Sequence, residues 1–226
     1  MAPSFLNRTH AGEVLARSLS HYAGKSDVTV LAIPNGGVPL AFEVACSLGT
    51  PLDLCFAEPI VLPGNDAPLG LLGWPPVQQL HEPVINALGL SEEGIREATA
   101  QSWRRLRQRV HLLRPAAMPP FISGRRVILV SEGVVAGKRF HEASGLLRRA
   151  GARELIAAAP VGTRESLFLL AADFDDIVCP LQPSAVETLQ PFYRDFRAVL
   201  PEEVRALLLR AWREWGSLDT SPLGAS

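Results

Sequence analysis

The chain has 226 residues, 47% of them apolar and 20% charged, with a formal net charge of −1. That length suits one α/β domain with an inserted or appended piece and can bury a sizeable core, while the near-neutral balance gives no electrostatic case for nucleic acid or an anionic membrane. No apolar run approaches the roughly 20 residues of a membrane span, and MAPSFLNRTH lacks a signal peptide's apolar segment, so the cytoplasm is the expected compartment.

In chain order, Asn7 to about Tyr22 is expected as a helix with Val14, Leu15, Leu19 and Tyr22 on one stripe. Thr29 to Ile33 reads as a buried strand ending at Pro34. The turn Asn35, Gly36, Gly37 then leads into a helix from Val38 to Leu48, and a second strand runs from about Leu52 to Ala57. Glu58 to Pro76 is too rich in Pro and Gly to be regular and is expected as a long loop, functional or mobile. Ser91 is placed to cap a helix whose first turn carries Glu92 and Glu93. Its apolar face is Ile95, Thr99, Trp103, Leu106, Val110 and Leu113. Arg96, Arg104, Arg105, Arg107 and Arg109 fall largely on the other side, which is read as a solvated face.

Val127 to Phe140, VILVSEGVVAGKRF, organises the rest. Four consecutive apolar residues fit a strand buried on both faces. Ser131 to Lys138 holds two glycines and hands the chain to a helix with Phe140, Ala143, Leu146, Leu147 and Ala150 on one side and Gly151 beyond its end. Strand, glycine turn and helix start together aim backbone N–H groups and the positive dipole end outward, which suits an anion. The spacing does not fit a P-loop: Gly133 and Gly137 are three residues apart, and Arg139 follows Lys138 where Ser or Thr is needed. A G-x-G-x-x-G fingerprint is also absent. The chain continues with a strand from Leu155 to Ala159, a helix from Arg164 to Ala172, a short strand from Asp176 to Cys179 and a final helix opened by Pro201. Gly216 ends that helix, and Ser217 to Ser226 is expected to fray.

Cys46, Cys55 and Cys179 lie on separate elements and read as reduced core thiols. His10, His21, His81, His111 and His141 show no ligand spacing, so no metal site is expected. Ser131 lacks the G-x-S-x-G context of a nucleophile elbow, and Asp175 and Asp176 read as turn residues.

The Val127 to Phe140 stretch resembles the phosphoribosyl pyrophosphate motif of the type I phosphoribosyltransferases. Further segments resemble one bacterial branch of that family: Phe5 and Arg8 with Ala11 and Gly12, LAIPNGGVPLAFEVA, Pro51 to Asp53, Pro63 with Gly64, VINALGLSEEGI, Ala159 to Val161, and FYRDF from Phe192 to Phe196. The resemblance implies a three-layer α/β fold, a mainly parallel sheet flanked by helices with a small hood and flexible loop. It would form one domain over 1–216, with the hood, loop and long helix over 58–115. It also implies a homodimer and a phosphorylated small-molecule ligand: phosphate, ribose 5-phosphate, phosphoribosyl pyrophosphate or a nucleotide. Magnesium would enter only with the pyrophosphate donor.

The ligand-facing residues implied by the resemblance are Asn35, Gly36 and Gly37 in the first turn, and in the second Ser131, Glu132, Gly133, Val134, Val135, Ala136, Gly137, Lys138 and Arg139. Several depart from the family pattern. Ser131 and Glu132 stand for an acidic pair, so Glu132 is the one carboxylate left to orient a ribose. Ala136 and Arg139 replace the loop hydroxyls, Asn35 replaces an arginine, and Glu58 and Pro59 replace an Arg-Lys pair for pyrophosphate. Removing one preorganised electrostatic contact commonly costs about 100- to 1000-fold in rate. The expectation is a fold that binds a phosphorylated ligand while its donor chemistry has lapsed or changed. The alternative is an active transferase that uses Glu132 on the ribose and Lys138 and Arg139 at a phosphate. No base-reading pattern identifies an acceptor.

Overall fold

A computed structural model describes residues 4–215, apart from 63, 65, 66, 75, 115–119 and 121. The expected tail and the Gly216 stop lie outside the described residues.

The chain opens with α1 (Arg8–Ser18), whose Asn7 side chain caps the helix by accepting from the His10 N–H. It continues through β1 (Val28–Ala32), α2 (Gly37–Leu48) and β2 (Leu52–Leu54). Three strands follow, β3 (Phe56–Ile60), β4 (Gly70–Trp74) and β5 (Val77–Leu80), then α3 (Glu82–Leu88) and α4 (Glu92–Leu113). The remainder alternates: β6 (Arg126–Val130), α5 (Lys138–Arg149), β7 (Glu154–Ala158), α6 (Arg164–Leu170), β8 (Asp176–Val178) and α7 (Pro201–Trp215).

Five strands form a parallel sheet in the order β2-β1-β6-β7-β8. Because side chains alternate along a strand, its residues divide between two cores. Val30, Ile128, Val130 and Ile156 face Leu15, Leu40 and Val204 of α1, α2 and α7. Leu31, Val127, Leu129 and Leu155 face Phe140, Leu147 and Leu167 of α5 and α6. A sheet covered on both faces explains the unbroken apolar runs. Counting only its own strands, the sheet reads 2-1-3-4-5, and the side on which strands are added switches between β1 and β6 while all strands stay parallel. In open α/β sheets that switch point, at the carboxyl ends of the strands, is where ligands bind.

β3, β4 and β5 form a separate antiparallel sheet, which packs between α4 and α5. This corrects two expectations. The strand expected from Leu52 to Ala57 divides at Cys55, whose N–H still bonds the Ala32 carbonyl at 2.9 Å before Phe56 pairs with Trp74. The segment expected to be irregular holds two strands. Pro59 lies on the edge strand β3, where no second neighbour needs its missing N–H. Gly70 marks close strand packing rather than a turn, since a Cβ there would sit 2.2 Å from the Gln79 carbonyl. α3 was not foreseen; it ends at Gly89 in the left-handed region.

α4 begins as expected, the Ser91 hydroxyl accepting from the Gly94 N–H at 3.2 Å. Leu106, Val110 and Leu113 of its apolar face enter the core. Ile95, Thr99 and Trp103 instead line an open groove of about 480 Å³ opposite Gln78 and Leu80 of β5. Among the described residues no helix is long and apolar enough to cross a membrane.

Candidate ligand site at the carboxyl edge of the sheet

Two turns meet at the switch point. After β1 the Ile33 N–H bonds the Val130 carbonyl at 2.9 Å, the Pro34–Asn35 peptide is cis, and Gly37 opens α2. A Cβ on Gly37 would lie 2.8 Å from the Val130 carbonyl oxygen, and one on Gly36 only 1.6 Å from Glu132 Oε2. Gly37 is thus required by the approach of the neighbouring backbone, whereas Gly36 leaves room for the movable Glu132 carboxylate. That turn leaves β6 through Ser131, whose N–H bonds the Ala158 carbonyl at 3.1 Å. It is pinned again by the Val134 N–H to the Val161 carbonyl at 2.8 Å. Gly137, at φ +69°, is the N-cap of α5 and supplies no side-chain cap. The first N–H groups of a helix have no partner within it, so the positive end of α5 is left to whatever binds there.

Glu132 is the carboxylate of the site. Its Oε2 accepts from Arg8 Nε at 2.9 Å, and Arg8 also donates to the Arg197 carbonyl at 2.7 Å while stacking 4.1 Å over the Phe196 ring. The Tyr193 hydroxyl donates to the Glu132 carbonyl at 2.5 Å. Phe5 bonds the Phe192 carbonyl through its N–H at 2.9 Å, which fastens both chain segments over the turn. Burial and the nearby Glu132 charge push the Tyr193 phenol well above its ordinary pKa, so it stays a neutral donor. The FYRDF element is structural, and the thing it holds in place is Glu132. Arg8, Tyr193 and Phe196 were legible only as matched motif residues, with no sign of their contact.

The remaining expected residues divide. Val134 is buried within the turn, whereas Val135 and Ala136 are exposed on its rim. Ser131 is buried, its hydroxyl 3.5 Å from the Gly133 carbonyl. The Asn35 amide donates to the Val199 carbonyl at 3.2 Å. The two cations of the first α5 turn, both exposed, separate: Lys138 lies 3.8 Å from Glu142, while the Arg139 guanidinium reaches back and donates to the Pro34 carbonyl. Burial holds the Arg139 pKa below its usual value, the Glu132 charge opposes that fall, and the Arg109 charge adds to it.

Glu58 does not face the ligand edge as an unpaired acid. Its side chain is buried against α4, accepting from Arg105 Nε at 3.0 Å and from an Arg109 terminal nitrogen at 2.8 Å. Two of the arginines expected in water therefore hold a buried carboxylate. The cysteines behave as core thiols: burial pushes Cys55 and Cys179 up to about 12 and the half-buried Cys46 to about 11. Among the described residues no three His, Cys, Asp or Glu side chains converge to hold a metal, and the Glu132 carboxylate is already on Arg8. This donor set does not fit a protein-held ion.

No family model matches the chain. Comparison with known proteins finds a Mycobacterium tuberculosis H37Rv protein, named provisionally as a phosphoribosyl transferase, 30% identical over 221 residues. That match spans 96% of this chain but only 50% of the relative, so the chain spans about half the length of the curated relatives it matches. The crystal structure of TT1426 from Thermus thermophilus is 31% identical, with a TM-score of 0.76 over 93% of this chain and 99% of that one. A purine phosphoribosyltransferase from Pyrococcus horikoshii is 14% identical, with a TM-score of 0.45 over 84% of this chain and 91% of that one.

Proposed function

Since the chain belongs to the phosphoribosyltransferase family, we propose that it binds a phosphorylated ligand of the phosphoribosyl or nucleotide type with donor contacts that have diverged from the family pattern. The observation that carries this reading is the Glu132 carboxylate lying against Gly36, beside the uncapped start of α5. A phosphate on the Gly133 to Arg139 turn would be held by backbone N–H groups and the helix dipole. Glu132 would accept from two sugar hydroxyls, with Arg8 holding it in place. Ala136 and Val135 offer no hydroxyl to the phosphate, so the backbone carries more of this contact than in the family pattern.

The test is calorimetric titration with ribose 5-phosphate, then with phosphoribosyl pyrophosphate with and without magnesium. Saturable binding of ribose 5-phosphate that weakens at least tenfold in Glu132→Gln supports the reading, and the absence of binding overturns it. An active transferase is the second reading. Its support is the pairing of Glu58 with Arg105 and Arg109, which leaves no uncompensated negative charge against a departing pyrophosphate. Pyrophosphate release on addition of a nitrogenous base would establish it. Sedimentation velocity on the same sample tests the expected homodimer.

A further inference from the structure

The small sheet has two outer edges, and the sequence treats them differently. β3 reads FAEPI, and its Pro59 has no N–H to offer a further strand. Proline is one of the devices by which native proteins blunt an edge. β5 reads VQQL, with neither proline nor charge, and among the described residues it pairs with β4 alone. None of its four residues is buried. Alternate residues of an antiparallel ladder turn their N–H and C=O groups away from the neighbouring strand, so β5 presents a bare edge.

Its two faces also differ. α5 packs against all three strands, and Gln79 points toward it: a Cβ on Gly145 of α5 would lie 2.6 Å from Gln79 Oε1. On the opposite face α4 packs against β3 and β4. Where α4 parts from β5 it leaves the groove of about 480 Å³, with Gln78 and Leu80 on one wall and Ile95 and Trp103 on the other. Glu92 and Arg96 stand beside it, 3.6 Å apart and both exposed, so their charges cancel. A bare strand edge is satisfied by the backbone of another strand, and a neutral rim gives a strongly charged segment nothing to hold. A copy of the same surface meets both conditions, since it brings an equally bare strand and one charge of each sign.

We infer that β5 is the contact through which two copies of this chain pair, joining two three-stranded sheets into one of six in the order β3-β4-β5-β5-β4-β3. The inference rests on the homodimer expected above and names its surface. A two-fold axis normal to the sheet runs the two β5 strands antiparallel and sets both grooves on one face. Leu80, Ile95 and Trp103 of each copy then supply the apolar centre that a four-residue strand lacks. Pro59 lies on both outermost strands of the joined sheet, so assembly closes at two copies.

The experiment is sedimentation velocity over a concentration series in four proteins: the parent, Gln78→Lys, Gln78→Glu and Gln108→Lys. Gln78 is exposed on β5, and Gln108 is the control, exposed on α4 but away from the groove. Like charges facing each other across paired strands are destabilising. The dimer should therefore weaken at least tenfold in Gln78→Lys and in Gln78→Glu, an equimolar mixture of the two should recover most of the loss, and Gln108→Lys should change it less than twofold. Hydrogen exchange on the parent supplies a second readout that needs no variant: the β5 amides should exchange more slowly in the dimer than in the diluted monomer, and those of β3 should not change. A parent that is monomeric throughout overturns both the inference and the homodimer. A dimer that the Gln78 changes leave within twofold, or that Gln108→Lys weakens equally, overturns the inference and leaves the homodimer standing. Unchanged exchange on β5 does the same.

Discussion

Two arginine–carboxylate pairs, Asp53 with Arg114 and Glu132 with Arg8, use the same chemistry for different ends. Arg114 leaves the end of α4 and grips Asp53 of β2 through both carboxylate oxygens, at 2.7 and 2.5 Å. Both residues are sealed, with side chains 3% and 2% exposed, and the Trp212 ring of α7 lies over the guanidinium. The Glu132 pair stands at the open edge of the sheet with its carboxylate over a glycine turn. A sealed pair can only stabilise or destabilise the fold. A pair at the switch point can also be reached by a ligand. The difference lies in what else can approach, because the donor and acceptor groups are the same.

The largest effect expected is that of breaking the sealed pair. Arg114→Ala leaves Asp53 buried without its partner, and should lower unfolding free energy by about 3–5 kcal/mol, read from the urea midpoint. Replacing both residues by apolar ones of similar volume should restore much of it. A similar stability loss in Arg8→Ala would erase the distinction between the two pairs. Next comes Glu132→Gln: a hydrogen bond to a charged group contributes about 1.5–3 kcal/mol. Ribose 5-phosphate affinity should therefore fall at least tenfold while the melting temperature moves little.

The glycines separate binding from folding more finely. In Gly36→Ala the new methyl meets the movable end of Glu132, 1.6 Å from its Oε2. The carboxylate should swing aside, with a several-fold loss of ribose 5-phosphate affinity and a small change in stability. In Gly37→Ala the methyl meets the Val130 carbonyl at 2.8 Å. Backbone cannot swing aside, so the expected outcome is a loss of about 1–3 kcal/mol in stability, checked by denaturation.

The smallest effect concerns Glu203, at the start of α7. Its bond to Arg197, with help from the Leu200 N–H, lowers its pKa from 4.5 to about 2. A carboxylate whose folded pKa is depressed adds stability above its unfolded pKa and loses it as pH falls through the folded value. The contribution should thus be complete above about pH 4.5 and gone near pH 2. Because the pair is exposed and screened by salt, it should be visible only as a slight, salt-sensitive difference between the parent and Glu203→Gln melting curves.

Much of this molecule was legible in the sequence. Runs of apolar residues placed β1, β6 and β7, and Gly36, Gly37 and Gly137 marked turns that the structure keeps at the carboxyl edge of the sheet. Ser91 was readable as a cap because a cap is a contact within three residues, whereas Asn7, expected inside the first helix, turned out to cap it. The same local rules misread β3 and β4: Pro59 and Gly70 signal a turn unless one knows that the first sits on a sheet edge and the second under a neighbouring strand.

The sequence by itself determined the parallel sheet, its glycine turns and the helix start that favours an anion, since each depends on residues a few positions apart. Only the tertiary structure decided where the charges go. Arg8 reaches Glu132 across 124 positions, and Arg105 and Arg109 reach Glu58 across 47 and 51. A buried carboxylate must find a cation, but which cation depends on how the helices cross the sheet, and no local pattern encodes that crossing.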